Sequence, residues 1–288
     1  MAISAFVPKI WSARFTTKLR DMLVWGSVAN TQYAGEIQAA GDTVKIPTSA
    51  TSITVGDYTV GTDINAAETA DGSTQDLVID KQKYFHFKVD DINAVQSRPA
   101  LMDDAMQEAA YQVAKQIDDD IRAVFSPAYA AARNVEVAGA LTDDSTGEDL
   151  LKAFITQKAA MTRLGLPLQD RWAIVSPEFI GAMERHFLAK PADGVFLPST
   201  AESTLRNGFS GTLLGYRLLS TQNVATVTNK QRIFMGQGTE AVTHASQIGK
   251  VEAYRPERQF ADAVKGLYVY GTKLVIGARL FFITHANA

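Results

Sequence analysis

The run KYFHFKVDDINAVQ, residues 83–96, alternates aromatic and polar side chains. Tyr84, His86 and Lys88 fall on one face, and Phe85, Phe87 and Val89 fall on the other, which is the period of a strand with one apolar side. Immediately after it the period changes. Ser97 and Pro99 form a helix entry, and Met102, Met106, Ala109, Val113, Ile117, Ile121 and Val124 then recur at steps of three and four. Asp103, Asp104 and Glu108 sit near the start, where the helix dipole favours negative charge, and Pro127 marks the stop. A helix over residues 97–125 is a rod of about 43 Å at ~1.5 Å per residue. That length, more than twice the typical one, suits a spine against which a sheet packs. The repeat is too short and too alanine-rich for a coiled coil.

Upstream, GDTVKIPT (residues 41–48) alternates Val44 and Ile46 with polar residues, and DLVID (residues 76–80) returns to the same pattern. About thirty residues of low apolar content separate the two, a length uncommon for a loop of a compact domain. Gly56, Gly61 and the Asp71-Gly72 turn signal punctuate them. The expectation is a long hairpin-like excursion whose middle cannot bury itself, since an isolated two-stranded hairpin is marginal in water. Further upstream, residues 11–26 read as an amphipathic helix, with Phe15, Leu19, Met22 and Leu23 on one side and Arg14, Lys18 and Arg20 elsewhere. Ser12 is its candidate cap and Gly26 its end.

Downstream, residues 128–145 read as a polar loop. GEDLLKAFITQKAAMTRLG (147–165) reads as a helix closed by Gly165, with Pro167 beyond it. RWAIVS is a short buried strand. Its Ser176 caps a second helix, PEFIGAMERHF, which has Pro177 at the first position. TLLGYRLLST and QRIFMGQG add strands, and residues 249–288 are β-rich. No repeat and no low-complexity linker divides the chain.

Composition narrows the function. The 288 residues are enough for about two domains, and 46% hydrophobic with 20% charged is a globular balance. The net charge of −3 does not suit a protein that grips nucleic acid with its whole surface. No cysteine is present, so disulfides, thiolate metal sites and cysteine nucleophiles are excluded. The start, MAISAFVPKIW, has no basic leader and is cut by Pro8, so a signal peptide is not expected. No apolar run reaches the ~20 residues of a membrane span.

Catalytic motifs fail on inspection. His86, His186, His244 and His285 lie far apart, with no second ligand at metal spacing. Gly236-Gln237-Gly238 follows an apolar strand but opens no helix, so it reads as a turn and not as a dinucleotide fingerprint. The glycines of GLYVYGTK (266–273) lie in a strand pattern. Ser176 lacks the glycine frame of a nucleophile elbow, and capping accounts for it. Asp118, Asp119 and Asp120 point about 100° apart on a helix, so they are expected to form a solvated acidic face and not a cation site. Acids dominate residues 98–125 and bases dominate residues 250–279. That asymmetry is either scatter or complementary contact within or between copies.

The order of these pieces is an N-terminal helical arm, a β excursion ending in KYFHFKVDDINAVQ, a spine helix, an α/β middle and the glycine-punctuated finish FADAVKGLYVYGTKLV. It resembles a tailed-bacteriophage major capsid protein of the Hong Kong 97-type fold, an α+β class, most specifically over residues 80–96 and 260–276. The resemblance implies an N-terminal arm at 1–41 and an extended loop at 42–91. It implies a peripheral domain from 92–134 and 246–288, and an axial domain at 135–245. It also implies hexamers and pentamers tiling an icosahedral shell around double-stranded DNA, formed in the host cytoplasm, with a portal and a separate scaffolding protein as partners. No enzymatic role, cofactor or metal is expected, and DNA contact is expected to be weak. Subunit contacts are expected from Trp11, Phe15, Leu19 and Trp25 of the arm, Val55, Tyr58 and Ile64 of the loop, and Arg255 and Arg258 near the end. Two alternatives remain at this stage: an encapsulin-like compartment of the same fold, and an unrelated α+β enzyme.

Overall fold

The computed structural model describes residues 24–33, 43–48, 56–61, 63, 73–90, 101–141, 144–189, 211–227, 230–257 and 260–286. Two strands, β1 (Thr43–Thr48) and β2 (Ser73–Val78), pair antiparallel, with Val44 opposite Leu77 and Thr48 opposite Ser73. The strand expected around residue 84 is β3 (Lys81–Asp90). Helix α1 (Leu101–Phe125) follows, with a 3-10 turn at Ser126–Ala128 where Pro127 stops the α-helix. The expected entry at residues 97–100 lies outside the described residues.

One expectation fails here. Residues 128–145 are not simply a loop, because β4 (Asn134–Ala140) runs through them. Its NVEVAGA sequence is too short and too small-residued to show a clear period. A parallel pairing with the far C-terminal strand makes it a strand. Helices α2 (Asp144–Arg163) and α3 (Pro177–Ala189) flank β5 (Arg171–Val175), in the expected order. Ser176 caps α3: its Oγ accepts the N–H of Phe179 at 3.2 Å. Gly165 ends α2 in the left-handed region (φ 76°), with the Leu166 N–H returning to the Met161 carbonyl at 3.2 Å. The remaining strands are β6 (Thr212–Leu213), β7 (Tyr216–Ser220), β8 (Ala225–Val227), β9 (Lys230–Gln237), β10 (Val242–Tyr254), β11 (Ala261–Leu274) and β12 (Phe281–Ala286).

These strands form three sheets. A mixed sheet runs β4-β12-β9-β5-β7-β6, with β8 beside β9. A second runs β10-β11-β3, and β1-β2 is the third. Strand β12 lies within residues 246–288, which the sequence reading assigns to the same unit as the spine helix. It pairs instead with β4 and β9 of the mixed sheet. Residues 249–288 are uniformly β-rich in sequence, and the 3-10 turn Gly277–Arg279 makes the change of sheet.

The mixed sheet is covered on both sides. Ala173, Val175, Ile233, Met235, Phe281 and Ile283 pack under α2 and α3, and the alternate residues Trp172, Ile174, Phe234 and Phe282 pack toward α1. All five residues of β5 are therefore buried. Helix α1 lays Met106, Ala110, Val113, Ala114, Ile117 and Ile121 against the inner face of β10-β11-β3, where Phe85 and Phe87 meet it, and its last residue, Phe125, packs on Trp172 and Phe234 of the mixed sheet. The predicted apolar faces of both elements thus find each other.

Candidate assembly surface

Residues that must meet other molecules are those that the chain's own folding leaves bare. The excursion at residues 42–91 is the first such place. Its base is anchored: Val44, Ile46, Leu77 and Ile79 bury against Ala245 and Val269. Gly271 lies under this base, where an added Cβ would collide with the Val78 carbonyl and Ile79. Residues 56–61 are all exposed, with Tyr58 at 68% and Val60 at 90%.

The outer face of β10-β11-β3 is the second place. Alternation puts Lys265, Leu267, Val269 and Gly271 of β11 on one side. The β1-β2 base covers the Val269 end. The other end is open, and its register sets Tyr84 opposite Leu267 and His86 opposite Lys265. Tyr84 is 80% exposed. The His86 ring stacks on Tyr254 at 5.9 Å, and the Tyr254 hydroxyl lies 2.8 Å from His86 Nε2. Lys265 spans Tyr254 (5.3 Å to the ring) and Glu252 (3.0 Å). A groove runs among Tyr84, Phe85, Tyr254 and Leu267. Aromatic rings with a cationic rim, on an open sheet, make a surface with apolar area to lose to a partner. Phe260, in the β10–β11 connection, is also 80% exposed.

The expected contact residues separate under this geometry. Tyr58 and Arg255 are exposed. Trp11, Phe15, Leu19, Val55, Ile64 and Arg258 lie outside the described residues, as does the expected helix up to residue 23. Trp25 requires correction. It belongs to a 3-10 turn, Trp25–Val28, and is fully buried in its own chain. Its ring packs on Phe234 (5.0 Å) and Phe125 (5.2 Å), and its Nε1–H donates to the Asn223 carbonyl at 2.9 Å. Sequence reasoning assigned it to a subunit contact, because a tryptophan beside Leu23 and Val24 fits either role. The residues it missed as a surface, Leu267 and Tyr254, carried the signal of strand alternation but no mark of which face would be covered.

The acidic run is also corrected. Asp118 is 5% exposed and accepts the Trp25 N–H at 2.8 Å. Asp120 accepts the Tyr270 hydroxyl and pairs with Lys81 (3.4 Å) and Lys83 (3.6 Å). Tyr270 and the two lysines hold the Asp120 carboxyl below its ordinary value against the opposing effect of burial, and burial together with the same contact pushes Tyr270 up. Asp119 pairs with Arg122 at 3.3 Å. The ~100° separation that rules out a shared cation instead sends each carboxylate to a different neighbour. The two charge blocks are not paired with each other by these contacts: Asp120 of the helix meets Lys81 and Lys83, while of the later bases Lys265 pairs with Glu252 and Arg279 pairs with Glu240 at 2.8 Å.

Chemistry is scarce elsewhere. Among the described residues no group of three or more His, Asp or Glu could hold a metal. The Gly236–Gly238 turn is filled by Trp172, which packs on Gly236 and donates Nε1–H to the Gly238 carbonyl at 2.7 Å. His244 and His285 are buried, and burial lowers both, His244 to about 4. No described helix is long and apolar enough to cross a membrane.

Comparison with known proteins agrees with this picture. The model of a family described as phage capsid protein matches residues 72–280. Among solved structures, one from Mycobacterium phage Che8 is 24% identical, with 91% of this chain and 90% of that one covered at a TM-score of 0.66. The capsid of cyanophage P-SCSP1u is 12% identical over 91% and 86%, at a TM-score of 0.67. The capsid of Ralstonia phage GP4 is 14% identical over 90% and 87%, at 0.62. No curated protein matches the sequence. The spine helix with its one-sided sheet, the antiparallel β1-β2 pair and the mixed sheet between helices make up the Hong Kong 97-type fold, and the chain belongs to the phage capsid protein family.

Proposed function

We propose that this chain is the major capsid protein of a tailed phage, and that its copies assemble as hexamers and pentamers into an icosahedral shell around double-stranded DNA. The observation that carries the reading is the presence of bare residues 56–61 together with a half-covered sheet face around Tyr84 and Leu267. Both present apolar surface that a single copy does not bury, and identical neighbours supply the missing cover. Each contact is small, and a closed shell repeats it many times, so stability comes from multivalency. In this reading residues 1–41 are the arm and 42–91 the extended loop. The peripheral domain holds α1 with β3, β10 and β11, and the axial domain holds the mixed sheet with α2, α3 and β12. Scaffolding and a portal are supplied as separate proteins, packaged DNA is touched weakly, and the chain performs no catalysis.

The test is assembly. Electron micrographs of the expressed protein should show closed shells or capsomer-sized rings, and a strictly monomeric species at high concentration, with and without scaffold, would refute the proposal. Deleting residues 54–68 should leave the helix content by circular dichroism unchanged and block assembly. Normal shells from that deletion would show that the hairpin has another role.

A further inference from the structure

Asp118 is buried in the middle of the spine helix, and no cation pairs with it among the described residues. Its carboxylate holds the turn at which residues 1–23 join the body. We propose that Asp118 is a proton-operated latch between α1 and the turn Trp25–Val28: the neutral carboxyl keeps the turn gripped, and ionisation lets it open. The geometry supplies the grip. Asp118 Oδ1 accepts the Trp25 N–H at 2.8 Å, and the backbone of the neighbouring Gly26 and Val24 also favours its ionised form. The next residues are tied separately, since the Asn30 N–H donates to the Val242 carbonyl and the His244 N–H donates to the Asn30 carbonyl, both at 2.8 Å. Asp118 lines a groove bounded by Tyr111, Lys115, Asp119 and the Thr221–Asn223 segment.

Among the described residues, the charged groups around the latch are few. On α1, Asp119 repels the carboxylate, Lys115 and Tyr111 line the groove, and Arg122 is engaged by Asp119. The turn brings only Val24, Trp25, Gly26, Ser27 and Val28, none of which titrates, and the facing segment brings neutral Thr221, Gln222 and Asn223. Two effects therefore compete. The backbone N–H donors favour the ionised form, while burial and Asp119 favour the neutral one. Burial wins, pushing Asp118 from its ordinary 3.8 up to about 6. In the opened turn the carboxyl regains water and its ordinary value. The raised value belongs to the closed form, so closure is favoured in acid and loses that advantage as pH rises through about 6. The open fraction should rise about tenfold between pH 5 and pH 7.5. Proton uptake would thus tighten the root of the N-terminal segment, whatever that segment contacts.

Hydrogen exchange on the full-length protein, read by mass spectrometry and corrected for intrinsic rates, tests this. Peptides covering residues 24–30 should lose about tenfold protection from pH 5 to pH 7.5, relative to an α2 peptide that reports global stability. Asp118→Asn should hold high protection with no slope. A flat wild-type profile, or an unchanged slope in Asp118→Asn, would overturn the latch. Should that variant fail to fold, Asp119→Asn decides the matter: removing the neighbouring charge must shift the transition to lower pH, and an unmoved transition refutes the proposal.

Discussion

The two faces of β10-β11-β3 carry similar side chains and have opposite fates. Phe85 and Phe87 point inward, and with Tyr268 and Tyr270 they pack against α1 and its neighbours. Tyr84, one residue from Phe85, stands 80% exposed, with Leu267 at 40% beside it. Strand propensity and hydrophobicity do not distinguish the faces. What separates them is whether the same chain has an element left to cover them. The inner face draws on a 25-residue helix, whereas among the described residues the outer face receives the base of the hairpin. A substitution on the covered side should therefore be felt by the folded chain, and one on the bare side by the assembly.

The largest effect is expected at Trp25, which closes the space between α1 and the mixed sheet. Trp25→Ala should cost about 3–5 kcal/mol in denaturant unfolding, the range for deleting a buried aromatic. A loss under 1 kcal/mol would show that the turn is not part of the core. Next comes His244, buried in β10 with its Nδ1 3.0 Å from Thr272 Oγ1. Its folded value, about 4, lies below the unfolded 6.5, so it contributes stability above pH 6.5 that is lost as pH falls toward 4. The full loss is about 3 kcal/mol at 1.36 kcal/mol per pH unit. Thermal unfolding across this window should show the decline in the wild type and a shallower one in His244→Gln.

Gly271→Ala should cost about 1–3 kcal/mol, because the new methyl meets the Val78 carbonyl, a backbone atom that moves only with the hairpin base. Greater protease sensitivity confined to residues 43–80 would locate the damage. The smallest effect on the isolated chain is expected from Tyr84→Ser combined with Leu267→Ser: under ~0.5 kcal/mol in unfolding, as for ordinary surface changes, with shell yield falling sharply. Equal loss of both properties would erase the distinction between the faces.

Much of this was legible in the sequence. Period-2 alternation fixed β3 and assigned Phe85 and Phe87 to the same side, and period-3.6 repetition fixed α1, because both periods follow from backbone geometry within a few residues. Capping by Ser176 and termination at Gly165 are likewise local and were readable. Trp25, the acidic run, β4 and β12 were not. An aromatic residue suits a core and an interface equally, three adjacent aspartates meet three different environments, and a strand such as β4 exists only because a segment over 140 residues away lies alongside it. Local chemistry determined which residues share a face. Only the tertiary structure decided which of those faces the chain could cover by itself, since burial is a property of what arrives from elsewhere in the chain.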